Sequence, residues 1–217
     1  MKPRLDDGTV TMLKRSPLFI VFEGIDGAGK STQAKMLADR LAQSRVPVLL
    51  TAEPSDSPAG LSIKSMKSRA AAEEEARLFT EDRRHHVEYV IEPALREGRT
   101  VICDRYIYSS AAYQGARGID PQAIISTNRE FARPADVTFL LEVPVEEALA
   151  RIASKRAEGY SPFELREDLM AVDAIYRGLN DPLLHRIDGA GPTDHVHETV
   201  LTIVIRLAKR RNAASRQ

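Results

Sequence analysis

Along this chain, unbroken apolar runs alternate with apolar positions spaced three and four apart. Pro17-Leu18-Phe19-Ile20-Val21-Phe22 is a run of strand length, and behind it Ala34, Leu37, Ala38 and Leu41 recur at i, i+3, i+4 and i+7, the period of one helix face. Val46-Pro47-Val48-Leu49-Leu50-Thr51 predicts a second buried strand, Thr100-Val101-Ile102-Cys103 a third, and the stretch from Ala135 to Val143 a fourth. His185-Arg186-Ile187-Asp188, after Pro182, predicts a short and weak fifth. Helical patterns fill the intervals. The longest runs from Ala71 to Arg96, with the stripe Val87, Val90, Ile91, Ala94 and Leu95 and with Pro93 placed to kink it or limit its last turn. Others cover Gln122 to Phe131, the stretch opened by Pro144 with the stripe Val145, Ala148, Leu149 and Ile152, and Phe163 to Gly178. Val196, Val200, Ile203, Val204 and Leu207 mark the last helix. A strand, a helix and a second strand joined by short loops make a parallel βαβ unit, so the pattern predicts an α/β domain.

The turn between the first strand and first helix changes the picture from fold to chemistry. Phe22-Glu23-Gly24-Ile25-Asp26-Gly27-Ala28-Gly29-Lys30-Ser31-Thr32 contains G-x-x-x-x-G-K-S, with Gly24, Gly29, Lys30 and Ser31 in the four fixed places. Strand, glycine turn and helix together let backbone N–H groups wrap a polyphosphate at a helix N-terminus. Gly24, Gly27, Ala28, Gly29, Lys30, Ser31 and Thr32 are therefore the candidate phosphate-binding set. Lys30 would reach the β- and γ-phosphates, and the Ser31 hydroxyl would ligate Mg²⁺.

Several later stretches carry candidate chemistry of their own. The loop from Ala52 to Gly60 follows the second strand, at the end where open α/β sheets bind ligands. Leu61 to Arg69 reads as a short helix whose basic face (Lys64, Lys67, Arg69) is solvated. On the long helix Phe79 and Arg83 are four apart and share a face, with His86 a further turn on; spacing favours a core role for Phe79 and leaves Arg83 open between core and site. Asp104 closes the third strand as a candidate Mg²⁺-water ligand, or else as the cap of the following helix. Arg105 beside it is suited to fork onto a phosphate. That following helix carries an unusually polar set, Ser109, Ser110, Tyr113 and Gln114, of which Ser109, Ser110 and Tyr113 fall on about one face. The connection from Ala153 to Pro162, with Lys155 and Arg156, is either a solvated turn or a lid that supplies cations and shuts out water.

Composition sets the outer bounds. The 217 residues suffice for one α/β domain with a core, and the 31 basic and 31 acidic residues give a formal net charge of zero. That balance argues against coating nucleic acid but leaves room for a local basic cleft. A single cysteine, Cys103, excludes an intrachain disulfide framework and fits a reducing compartment. No apolar run approaches the ~18 residues of a membrane span, and Met1 to Ser16 lacks the apolar middle of a secretory signal. That opening segment (1–16) reads as a polar extension ahead of the main domain at 17–211, with a lid at about 153–163 and a tail at 212–217. His185, His195 and His197 lack metal-ligand spacing. A cytoplasmic protein with no nucleic-acid or membrane partner is expected.

Four stretches together resemble thymidylate kinase, a phosphate-loop nucleoside monophosphate kinase. They are FEGIDGAGKSTQ from Phe22, LFTEDRRHH from Leu78, DRYIYSSAAYQGARG from Asp104 and PADVTFLLEVPVEEALARI from Pro134. The D-R-Y-x-x-S-x-x-A-Y-Q-G pattern, with the preceding L-F-x-x-D-R, is what points beyond a general nucleotide user. The resemblance implies a three-layer α/β/α domain, a five-stranded parallel sheet in the order 2-3-1-4-5, a mobile lid and a homodimer. It implies Mg²⁺-dependent transfer of a phosphate from ATP to dTMP. By that likeness Asp26 meets the sugar 3′-OH, Phe79 stacks on thymine, Arg83 bonds its O4, and Arg105 holds the acceptor phosphate with Asp104 near the metal. Ser110 meets the base edge with Gln114 near it, and Tyr113 crowds the 2′ position. Arg151 and the turn at Ala190 and Gly191 lie beside adenine, and Lys155 and Arg156 belong to the lid. The phosphate loop has no arginine, so the lid has to provide one. Two positions depart from the family's pattern: Ala52 stands where it commonly has an arginine, and the lid ends Tyr160-Ser161-Pro162-Phe163-Glu164 without one. A kinase for another small phosphate acceptor, or a nucleotide-binding protein without catalysis, are the rival readings.

Overall fold

The computed structural model describes residues 5–154 and 162–214. Five parallel strands form one sheet in the order β2-β3-β1-β4-β5: β1 (Phe19–Glu23), β2 (Val48–Ala52), β3 (Thr100–Asp104), β4 (Val137–Glu142) and β5 (Leu184–Asp188). The three central strands β1, β3 and β4 are buried almost throughout, as expected where helices cover both faces of a parallel sheet. The predicted buried second strand is instead an edge. Its residues are half-buried or exposed, with Leu50 43 % exposed. An apolar run alone cannot distinguish a central strand from an edge.

Helix α2 (Lys30–Gln43) and α10 (Thr193–Ala214) cover one face, and α1 (Asp7–Arg15) packs against α10. On the other face lie α4 (Ala72–His86), α5 (Glu92–Arg96) and α6 (Ile107–Gly115), with α7 (Pro121–Arg129) and α9 (Pro162–Gly178) against α6. Helix α3 (Pro58–Ser65) packs on α4, and α8 (Val145–Ala153) on α9. From Leu5 on, the segment before the first strand is structured. Asp6 caps α1 by accepting from the Thr9 N–H at 2.8 Å, and Leu5 and Leu13 are buried.

The long predicted helix is continuous but not uniform. Between α4 and α5 the turn Val87–Ile91 widens into a π-helix, where the Glu92 N–H reaches back to the Val87 carbonyl. Pro93, which has no N–H to give, follows directly. The widened turn accommodates it, and the helix runs on to Arg96. No helix among the described residues is long and apolar enough to cross a membrane.

Candidate active site

The parallel register aligns the carboxyl ends of three neighbouring strands. Ala52 pairs with Asp104, and Asp104 with Phe22, so Ala52, Asp104 and Phe22 sit side by side, one residue before Glu23 closes β1 and the phosphate loop begins. Gly27 has φ +81°, and a Cβ there would lie 2.5 Å from the Ala148 carbonyl oxygen, so only glycine lets the loop pass α8. Gly29 is the left-handed N-cap of α2. Lys30 is buried and donates to the Ile25 carbonyl at 2.8 Å. Burial, aided by the Arg105 charge, pushes its pKa down to about 7.

Ser31 Oγ donates to Asp104 Oδ2 at 2.5 Å, across 73 residues of sequence. The other oxygen, Asp104 Oδ1, is buried without a hydrogen-bond partner. A hydroxyl and a carboxylate with a vacant lone pair are the hard oxygen donors that Mg²⁺ prefers. Among the described residues no group of three or more His, Cys, Asp or Glu side chains stands ready to hold a metal. A cation here would thus take most of its ligands from a bound triphosphate and water.

Asp104 does not cap α6. The carboxylate of Glu23 does, accepting from the N–H groups of Tyr106 at 3.0 Å and Ser109 at 3.1 Å. Glu23 also accepts from the hydroxyls of Ser109 at 2.5 Å and Tyr176 at 3.0 Å. It is fully buried, and burial raises its pKa above the ordinary carboxylate value. Arg105, between β3 and α6, adopts φ +73°, a conformation that costs a non-glycine residue about 1–3 kcal/mol. The bend turns its guanidinium back to the phosphate loop. There it donates to Asp26 Oδ1 at 2.6 Å and to Ser109 Oγ at 3.2 Å, and lies 4.9 Å from the centre of the Tyr113 ring. Tyr113 Oη in turn accepts from the Asp26 N–H at 3.0 Å.

Beside this arginine opens a cavity of about 230 Å³, bounded by Glu53-Pro54, α4 and α6 and lined by Phe79, Arg83, Ser110, Tyr113 and Gln114. Phe79 therefore faces the cavity rather than the core. Arg83 answers to both descriptions. It lines the cavity, yet it is only 1 % exposed and is bound to Glu53 at 2.7 Å, Asn128 at 2.7 Å, the Tyr106 carbonyl at 3.0 Å and Ser110 Oγ at 2.9 Å. His86 lies behind Glu53 rather than in the cavity, buried, 3.1 Å from Glu53 and 2.7 Å from the Thr51 hydroxyl. Ser109, Ser110 and Tyr113, expected on about one face, all line this cavity together with Gln114, each with its own partners. Ser109 and Tyr113 turn to the phosphate loop, while Ser110 meets Arg83 and Gln114 meets Glu75 on α4. Gln114 Nε2 donates to Glu75 at 3.0 Å, and its Oε1 is buried without a partner.

On the far side of the phosphate loop, Arg151 donates to the carbonyls of Gly27 at 3.4 Å and Gly189 at 2.9 Å, and pairs with Glu147. Ala28, Gly29, Arg151, Gly189 and Gly191 line a narrow cleft there, with Ala190 in the same turn bonded to Asp188. Lys155 and Arg156, with most of the expected lid, lie outside the described residues.

Sequence reasoning missed four acidic anchors, Glu23, Glu53, Glu75 and Asp82. The last is fully buried on α4 and fixes the loop after β2 through Ser55 and Ser57 at 2.5 and 2.6 Å. The available signal was position. Glu23 and Glu53 follow apolar strands just as Asp104 ends one.

Comparison with known proteins accords with this geometry. The family model described as "Thymidylate kinase" matches residues 22–200. A thymidylate kinase of Desulfotalea psychrophila is 41 % identical over 193 residues, covering 88 % of this chain and 95 % of that protein. A probable thymidylate kinase of Thermococcus kodakarensis is 39 % identical over 204 residues, 86 % of this chain and 97 % of the relative. A thymidylate kinase of Brachyspira hyodysenteriae is 38 % identical over 188 residues, 85 % and 92 % of the two chains.

Proposed function

The chain belongs to the thymidylate kinase family, and from that premise we propose that it transfers the γ-phosphate of ATP to dTMP, giving ADP and dTDP. The observation that carries the proposal is the contact of Arg105 with Asp26 at 2.6 Å. It joins a cavity of nucleotide-base character to the phosphate loop, so two phosphate-bearing ligands can meet end to end.

Phosphoryl transfer between phosphates asks a protein mainly to position the reactants and neutralise charge. The loop N–H groups and Lys30 hold the donor; anionic phosphate beside Lys30 Nζ restores the positive charge that burial discourages. Arg105 holds the acceptor phosphate, whose oxygen attacks the γ-phosphorus as the bond to the β-bridging oxygen breaks and ADP departs. Asp26 takes the sugar 3′-OH, and Tyr113 crowds the 2′ position. Phe79 stacks on the pyrimidine, and the Arg83–Ser110 pair serves O4. The vacant acceptor Gln114 Oε1 suits the N3–H of thymine, a donor that cytosine lacks. Arg151 and the turn through Ala190 and Gly191 lie against adenine, and the lid residues Lys155 and Arg156 bring cations to the transferring group. Ser31 and Asp104 would hold Mg²⁺, directly or through water, and it would spread the charge building on the phosphate oxygens.

A homodimer in the cytoplasm completes the proposal. The compartment fits the single, buried, free Cys103, and sedimentation of the purified protein tests the assembly. Turnover is tested by a coupled assay with dTMP, ATP and Mg²⁺. dTDP must form, and Lys30→Ala must abolish it; folded wild type that forms none would end the proposal.

A further inference from the structure

Arg69 belongs to the loop between α3 and α4, in a stretch that reads from sequence as a solvated basic face. It instead lines the acceptor cavity. Its guanidinium donates to both oxygens of Glu75, at 3.2 Å from Nε and 2.6 Å from the terminal nitrogen. Glu75, in the first turn of α4, is already engaged by Arg117 at 2.6 Å and by Gln114 at 3.0 Å. Two guanidinium groups thus share one carboxylate. Arg117 is the better anchored, 24 % exposed and tied also to the Ala70 carbonyl at 2.7 Å, whereas Arg69 is 46 % exposed.

The placement along α6 indicates what Arg69 is for. Arg105 lies over Tyr113, and the Glu75 cluster meets the adjoining Gln114. Arg83 meets Ser110, one turn nearer the start of the helix. Arg105 also reaches Ser109 at 3.2 Å, so Arg69, Arg83 and Arg105 all border this one cavity. Three arginines line this cavity against two carboxylates, Glu53 and Glu75, and Arg83 is committed to Glu53. Ala52, next to Glu53, adds no charge. A dianionic phosphate held by Arg105, itself paired with Asp26, calls for a second cation in this cavity.

We propose that Arg69 is this second acceptor-phosphate residue: its guanidinium leaves the shared Glu75 carboxylate, which Arg117 and Gln114 continue to satisfy, and closes the α3–α4 loop over the bound phosphate. The assignment rests on the nucleoside monophosphate reading of the cavity. Its test compares wild type, Arg69→Ala and Arg69→Lys in turnover and in calorimetric binding of dTMP and of uncharged thymidine. Arg69→Ala is expected to raise KM and Kd for dTMP about 10–100-fold, with thymidine affinity, KM for ATP and the melting temperature held. Arg69→Lys recovers part of the loss. Unchanged dTMP affinity overturns the assignment, as does an equal loss for dTMP and thymidine, or a parallel loss for ATP with a lowered melting temperature. A wild type that binds dTMP without phosphorylating it fails the kinase proposal alone, and the Arg69 assignment is then decided by the binding arm. One that binds neither ligand overturns both.

Discussion

Two buried residues decide how substitutions in this site are to be interpreted. Arg83 and Glu53 are 1 % and 2 % exposed and face each other at 2.7 Å. Removing Arg83 strands a carboxylate in the interior, a change that costs about 3–5 kcal/mol. Arg83→Ala is expected to lower the urea midpoint as well as activity, so its kinetics alone say little about base recognition. Ser110→Ala keeps the ion pair and should cost about 1 kcal/mol or less while raising KM for dTMP. Equal stability losses in the two variants would contradict the assignment of Arg83 as an anchor. Glu23 makes a second residue-scale prediction, through pH. Burial raises its folded pKa above 4.5, so the folded chain binds that proton more tightly than the unfolded chain. Its contribution to stability is complete below 4.5 and is lost as pH rises through the folded value. Glu23→Gln does not titrate. The stability of wild type relative to this variant should therefore fall from pH 5 to pH 8 in urea denaturation; a difference that is flat or grows with pH refutes it. Neither role could be seen in the sequence. A carboxylate in Phe-Glu-Gly or Ala-Glu-Pro has the same letters whether it faces water or caps a helix through the core.

At the scale of elements, the strands and most helices follow from apolar spacing because each has one environment along its length. Legibility fails where the environment comes from elsewhere in the fold. The edge position of β2 depends on which strand lies beyond it, and the widened turn before Pro93 on how a continuous helix accommodates a missing donor. Helix α1 is the clearest instance. Its sequence is polar enough to read as an extension, yet Leu13 is fully buried because α10, at the other end of the chain, packs against α1. Leu13→Ala should cost about 2–5 kcal/mol, with KM for dTMP and ATP unchanged. A loss below about 0.5 kcal/mol would mean that α1 is an ornament on α10. Among the described residues, helix α9 reaches this network through the hydroxyl of Tyr176, whose Oη contacts Glu23 and Ser109 at 3.0 Å each. Tyr176→Phe leaves those groups short of a partner, so a drop of about 1–3 kcal/mol in unfolding free energy is expected; an unchanged value would remove α9 from the network.

The whole molecule brings residues from five separate stretches to one edge of the sheet: the phosphate loop, the turn after β2, α4, the turn after β3, and α6. Sequence motifs nominated most of them because phosphate chemistry constrains residue type and spacing locally. They did not nominate Arg69 or Glu75, whose roles arise only when α4 and α6 lie side by side. What the assembled cavity selects is therefore the central claim, and a panel of acceptors measures it. With ATP and Mg²⁺ fixed, kcat/KM is determined for dTMP, dUMP, dCMP, dGMP and AMP. The thymine methyl is worth about 1–3 kcal/mol, or 10–200-fold, so dUMP should follow dTMP by that margin. dCMP should fall much further, because it presents donors to Arg83 and Ser110 and no N3–H to Gln114. A higher kcat/KM on any acceptor without thymine would contradict the account.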